Sequence, residues 1–238
     1  MDKYIVGNWK MNNDLSDIEG YVDYLNNNLE NKNNVIACVP YTMIKTFADT
    51  AKSTIGTGAE NCYFAEKGAY TGEISAKMLK SAGAEYVIIG HSERRQIFGE
   101  TNEMISKKIA AVLQEGLKVI FCIGETLEQK DDFKAVLSKQ IVEGLAGISD
   151  FSNIIVAYEP VWAIGTGKVA TIDDIKAVHA YIKEELSSSF NVDLPILYGG
   201  SVKPDNSAEI LALEDVGGVL VGGACLKAES FAEIAKSR

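Results

Sequence analysis

Histidine is nearly missing from this chain, with two in 238 residues, and the four cysteines stand singly with no C-x-x-C pair. A zinc hydrolase gathers several His and Asp ligands, so two histidines argue against one. Metal and redox motifs need closely spaced thiols; Cys38, Cys62, Cys122 and Cys225 therefore read as reduced and mostly as small buried hydrophobes. Cys38 and Cys122 lie inside apolar runs, which favours that reading. No stretch approaches the roughly 18 uninterrupted apolar residues of a membrane span. The opening MDKYIVGNWKMNN also lacks the apolar run of about 7–15 residues that a secretory signal carries. The expected location is the cytoplasm. Positive charge is short as well: 23 Lys and Arg against 33 Asp and Glu leave a formal charge of −10. That balance argues against nucleic acid and anionic membrane as partners, both of which select basic faces. It leaves room for a small anion, because helix N-termini and one lysine can build a positive pocket on an acidic protein.

No linker rich in Pro, Gly or Ser divides the chain, so the expectation is one domain over residues 1–238. Short apolar or β-branched runs recur along it. They are YIVGNW from Tyr4, NVIACV from Asn34, IGTGAE from Ile55 and YVIIG from Tyr86, then KVIFCIG from Lys118, NIIVAYE from Asn153, PILYGG from Pro195 and GVLVGG from Gly218. Continuously apolar runs this short read as strands buried on both faces. Amphipathic segments lie between them. Leu15, Ile18, Val22, Leu25 and Leu29 share one helical face, and Thr101 and Thr171 cap later helices. His179 reads as a surface or half-buried residue on the helix after Thr171. Strand-then-helix repeated about eight times in about 250 residues predicts an α/β fold, a closed parallel (β/α)8 barrel. The doubly wound alternative would place G-x-G-x-x-G after the first strand, where GNWKMN stands instead.

In such a barrel the chemistry sits at the C-terminal ends of the strands. Those ends carry Asn8 and Lys10, then His91, then Glu159, then Gly199, Gly200 and Ser201, and last Gly222 and Gly223. Paired glycines in adjacent strands let backbone N–H groups approach a phosphate, and Ser201 adds a hydroxyl. Glu159 suits a general base. A neutral His91 at a helix start suits a hydrogen-bond donor to a carbonyl, and Lys10 suits a developing oxyanion. Together they describe proton abstraction beside a carbonyl on a phosphorylated substrate. GTGKVA fails as a P-loop, since Trp162 and Val169 occupy its decisive places. A Schiff-base aldolase would want a lysine in the sixth strand, which has none. The residues leave open another phosphosugar isomerase or epimerase, and a non-catalytic binding relative.

From end to end the chain resembles the triosephosphate isomerase family, through GNWKMN, GAYTGEIS, IIGHSERR, CIGETLEQ, AYEPVWAIGTGK, YGGSV and LVGGACLK. The resemblance implies interconversion of dihydroxyacetone phosphate and D-glyceraldehyde 3-phosphate, without cofactor or metal. It implies that Glu159 shuttles the proton, His91 acts on the carbonyl oxygen, and Lys10 binds substrate with Asn8 beside it. Glu93 would support the site, and Gly165, Ser201, Gly222 and Gly223 would hold the phosphate. Residues 160–168 would form a mobile lid that shields the enediolate from water, hinged at 160–162 and 168–170. The loop around residues 61–75 would form a homodimer, with Thr71 reaching toward the partner's site. The chain departs from the family's pattern at Glu60, where glutamine is common, at Gly217 in place of aspartate, and at Cys225 in place of serine.

Overall fold

A computed structural model describes residues 2–29, 33–51, 55–164 and 170–237. Eight strands close on themselves in chain order, all parallel. They are β1 (Tyr4–Asn8), β2 (Asn34–Val39), β3 (Gly56–Ala59), β4 (Tyr86–Ile89), β5 (Lys118–Ile123), β6 (Ile154–Tyr158), β7 (Ile196–Tyr198) and β8 (Gly218–Val221). Pairing of Val6 with Leu220 joins the first strand to the last, which removes every sheet edge. Among the described residues the helices are α1 (Ile18–Asn28), α2 (Ile44–Ala51), α3 (Ala76–Ser81), α4 (Ser92–Gln96), α5 (Asn102–Gln114), α6 (Phe133–Gly144), α7 (Ile172–Phe190), α8 (Pro204–Leu211) and α9 (Ala228–Lys236).

Strand alternation sorts the core into two shells. Val6, Ile36, Cys38, Ile88, Ile120, Cys122, Ile155, Ala157, Leu197 and Leu220 form the smaller cluster, which fills the barrel. Their neighbours along the strands, Ile5, Ala37, Val87, Val119, Phe121, Val156 and Tyr198 among them, face the helices. β3 supplies glycines where larger side chains would collide. A Cβ on Gly58 would lie 2.4 Å from Cys38 Sγ, so the glycine makes room for that thiol. All four cysteines are free and buried, as their apolar settings predict.

Two local readings change. Leu15 opens a short 3-10 turn over Leu15–Asp17 and is 56% exposed, so the buried face of α1 begins at Ile18 and continues through Val22 and Leu25. His179 is fully buried rather than at the surface. It occupies the face of α7 that also buries Ile175, Val178, Ile182 and Leu186, one helical turn apart on either side. Its Nδ1 lies 3.2 Å from the Asp215 carbonyl, and burial pulls its pKa down to about 4. A neutral ring with one backbone partner is what makes such burial tolerable.

Ile120 is fully enclosed inside the barrel. Ile120→Ala should lower unfolding stability by about 2–5 kcal/mol, the usual range for a core truncation, as read from urea midpoints.

Candidate active site

The strand ends open into a cavity of about 670 Å³ lined by Asn8, Lys10, His91, Glu159, Ser201 and the glycines at 199, 200, 222 and 223. Every described residue that the strand-end rule nominates thus faces one space. Gly165, and with it the lid residues 165–169, lies outside the described residues.

Each side chain arrives by a local device. Asn8 ends β1, and its Oδ1 accepts the Lys10 N–H at 3.1 Å. That bond supports Lys10 in a left-handed backbone conformation, φ 56°, uncommon for a residue with a side chain. Lys10 Nζ then reaches Glu93 Oε1 at 2.6 Å. Gly90, at φ 76°, turns the chain out of β4 so that His91 caps α4. The Glu93 N–H donates to His91 Nδ1 at 3.2 Å, so a lone pair occupies Nδ1 and the ring proton sits on Nε2. Nε2 lies 2.9 Å from Glu159 Oε1.

Glu159 follows β6 directly and is 1% exposed. Burial pushes a carboxyl toward its neutral form. Here His91 and two hydrogen bonds from Ser92 outweigh burial, and the pKa falls below the ordinary value. The Ser92 N–H donates to Oε2 at 2.9 Å and its hydroxyl to Oε1 at 3.1 Å. His91 feels the converse: burial lowers its pKa, the Glu159 carboxylate raises it, and the sum is upward. Two influences oppose each other here: the Glu93 N–H on Nδ1 favours the neutral imidazole expected from sequence, and the Glu159 carboxylate beside Nε2 favours the protonated ring.

The glycines divide by what surrounds them. A Cβ on Gly200 would strike Tyr198 Oη at 2.2 Å, and one on Gly199 would press on Glu159 Cγ and the Tyr158 carbonyl, both at 3.1 Å. Packing thus excludes a side chain at Gly200 and crowds one at Gly199. Gly223 would meet nothing within 4 Å, and Gly222 only Lys10 Cε at 3.6 Å, which is ordinary contact. At these two the missing side chain enlarges the cavity instead of relieving a clash. Ser201 Oγ donates to the Ala163 carbonyl at 3.1 Å, linking the glycine end of the cavity to the segment after Glu159. Cys225, just beyond the glycines, is fully buried, and burial lifts its thiol pKa to about 12, so it is a poor nucleophile.

A family model described as Triosephosphate isomerase matches residues 3–238. The triosephosphate isomerase of Finegoldia magna is 46% identical over 242 residues, covering 97% of this chain and 96% of that one. That of Carboxydothermus hydrogenoformans is 46% identical over 244 residues, covering 98% and 97%. A solved structure of triosephosphate isomerase from Bartonella henselae superposes with a TM-score of 0.90 at 39% identity, covering 98% of each chain. The chain belongs to the triosephosphate isomerase family.

Within this triosephosphate isomerase fold, some residues of the site escaped the sequence reading. Ser92 is the chief one. Its signal was its place between His91 and Glu93 at a helix start, where an N–H has no helical partner. Glu125 is another: it accepts from Tyr158 Oη at 3.0 Å and Trp162 Nε1 at 2.7 Å, fixing the indole that follows Glu159 and Pro160. Thr71 is exposed and lines neither the strand-end cavity nor the opening beside it that holds Glu60. Glu60 lies beside Lys10 in a neighbouring opening of about 430 Å³ that also touches Met11, Tyr41 and Phe98. Its Oε1 has no hydrogen-bond partner among the described residues, and burial raises its pKa from 4.5 to about 8, with Lys10 pulling the other way.

Because folded Glu60 keeps its proton to higher pH than the unfolded chain does, the unfolded state binds fewer protons between pH 4.5 and about 8. Stability from this group is full below that window and is lost as pH rises through it. Glu60→Gln should flatten that slope and raise the melting temperature at alkaline pH while leaving it nearly unchanged near pH 5. Parallel melting curves of both proteins across the window test this.

Proposed function

We propose that Glu159, His91 and Lys10 carry out the family's reaction here, interconverting dihydroxyacetone phosphate and D-glyceraldehyde 3-phosphate through an enediolate, with glycolysis and gluconeogenesis as the setting. The observation that carries the assignment is the 2.9 Å approach of Glu159 Oε1 to His91 Nε2 over a cavity that ends in unobstructed glycines. A carbonyl oxygen entering between them takes the Nε2 proton's hydrogen bond, which frees Glu159 to face the adjacent carbon. The carboxylate removes a proton from that carbon and the electron pair moves into the enediolate; a hydroxyl proton then passes from the other oxygen to the first by way of His91, and the carboxyl returns its own proton to the neighbouring carbon. Electrons and protons balance within the substrate, so the scheme calls for no cofactor and no metal.

Lys10 places its ammonium group by the developing oxyanion, where a preorganised charge lowers the barrier. Glu93 holds that ammonium group and supplies the N–H that keeps His91 Nδ1 unprotonated. Asn8 sets the Lys10 turn. Ser201, Gly222 and Gly223 take the phosphate in this reading, with Gly165 joining from the lid.

The same reading covers assembly and location. Met11 and Phe98 are 96% and 62% exposed beside the opening that holds Glu60. Apolar side chains of that size at the rim of a groove support a homodimer in which the partner's Thr71 loop fills it. Pairing of β1 with β8 supports one domain for the whole chain, since the barrel cannot close without both ends. Free buried thiols support the cytoplasm. Among the described residues no helix is long and apolar enough to cross a membrane.

Glu159→Gln should leave the fold and inorganic phosphate binding intact while lowering turnover by about 10²–10⁴-fold, the usual worth of a positioned base. A coupled assay with glyceraldehyde 3-phosphate reads this, and turnover equal to the parent's would remove the assignment. Sedimentation equilibrium should give twice the chain mass; an active species of single mass would remove the dimer.

A further inference from the structure

Gly124 follows the last residue of β5, and its backbone N–H and C=O are both taken by one side chain. Gln140 of α6 accepts the Gly124 N–H at 2.8 Å and donates its Nε2–H to the Gly124 carbonyl at 2.9 Å. A single amide clamping both polar groups of one residue leaves that residue little freedom. α6 comes close enough because Gly144, one turn on, lies against the Phe121 ring; a Cβ there would be 2.5 Å from the ring.

The clamped residue forms the bed on which Glu159 rests. A Cβ on Gly124 would fall 1.8 Å from the Glu159 carbonyl oxygen and 3.2 Å from its Cβ, so the two backbones are in direct contact. On either side, Glu159 N–H donates to the Ile123 carbonyl at 2.8 Å and Val161 N–H to the Glu125 carbonyl at 3.1 Å. The segment from 123 to 125 therefore sets the position of the segment from 159 to 161. Behind it, a second cavity of about 320 Å³, lined by Gly124, Gln140, Glu159 and Val161 among others, leaves space for this bed to shift or take up water if the clamp is lost.

We infer that Gln140, remote from the substrate cavity, is a positioning residue for Glu159: it holds Gly124 and thereby the place from which the carboxylate acts. The inference rests on Glu159 as the base. Misplacing a reacting group by about 1 Å costs about 10²-fold, while the glycine end of the cavity is untouched by this clamp.

Gln140→Met keeps length and removes both bonds. Its kcat should fall about 10- to 100-fold with KM within about threefold. Affinity for a phosphorylated two-carbon hydroxamate, a planar mimic of the enediolate, should weaken with kcat, and competitive inhibition by inorganic phosphate should stay as in the parent. Ser138→Ala, a change on the same helix as Gln140 that removes a hydrogen bond to Glu185 of α7, serves as the control and should keep the parent's kcat. Gln140→Glu adds a readout that a structural role alone would not move. Protonated, the new carboxyl can donate to the Gly124 carbonyl as the amide does; ionised, it repels that oxygen. Its kcat relative to the parent's should rise as pH is lowered from about 8.5 to about 6. A folded Gln140→Met enzyme with kcat within about twofold of the parent overturns the inference, and so does a flat ratio for Gln140→Glu, which decides the matter if the Met variant does not fold. Full turnover by Glu159→Gln would instead overturn the base assignment itself, a distinct result.

Discussion

A carboxylate with almost no contact with water has to be held by hydrogen bonds or it gives up its charge, and Glu159 is held by three donors. Two belong to Ser92 and one to His91, all at the mouth of β4, whereas Glu159 leaves β6. The strand between them, β5, stands in the way. Its chain runs on through Gly124, where any side chain would collide with Glu159. The site exists because the rim of the barrel is low at that one position, allowing an acid from one strand to reach donors two strands away. Burial, the charge of the acid and the bare backbone of Gly124 are parts of a single constraint.

The other end of the cavity obeys a different economy. A chain with ten excess negative charges has to gather an anion through local geometry, since its overall field is repulsive. Lys10 lines a cavity whose adjoining wall is kept open by Gly222 and Gly223, and its ammonium group is steadied by Glu93. Tying one charge to another leaves the ammonium group oriented, and the left-handed turn at Lys10 points it inward from a strand whose neighbours are otherwise apolar.

Much of this could be read before any coordinates. Each of the eight runs marked as a strand contains one, of three to six residues, because short runs with little polar interruption are the signature of burial on both faces. The rule that chemistry lies at strand ends brought out Asn8, Lys10, His91, Glu159 and Ser201, which do share one cavity. The residues it passed over work through contacts that cross the barrel wall. Ser92 looks like any helix-starting serine until its hydroxyl meets residue 159, and Gln140 looks like a polar helix residue until its amide meets Gly124. His179 differs from its surface or half-buried expectation for a related reason: a polar side chain sits on the apolar face of α7, where its carbonyl partner comes from a distant segment.

The amino-acid order alone determined the strand-helix alternation, the charge of the molecule and which acidic and basic groups stand at strand ends, because these follow from periodicity and from position along the chain. Closure of the barrel decided the rest. It set the distance between His91 and Glu159, the direction of both their pKa shifts and the burial of Glu60 beside Lys10, since each depends on groups far apart in sequence that only a closed ring of strands brings together.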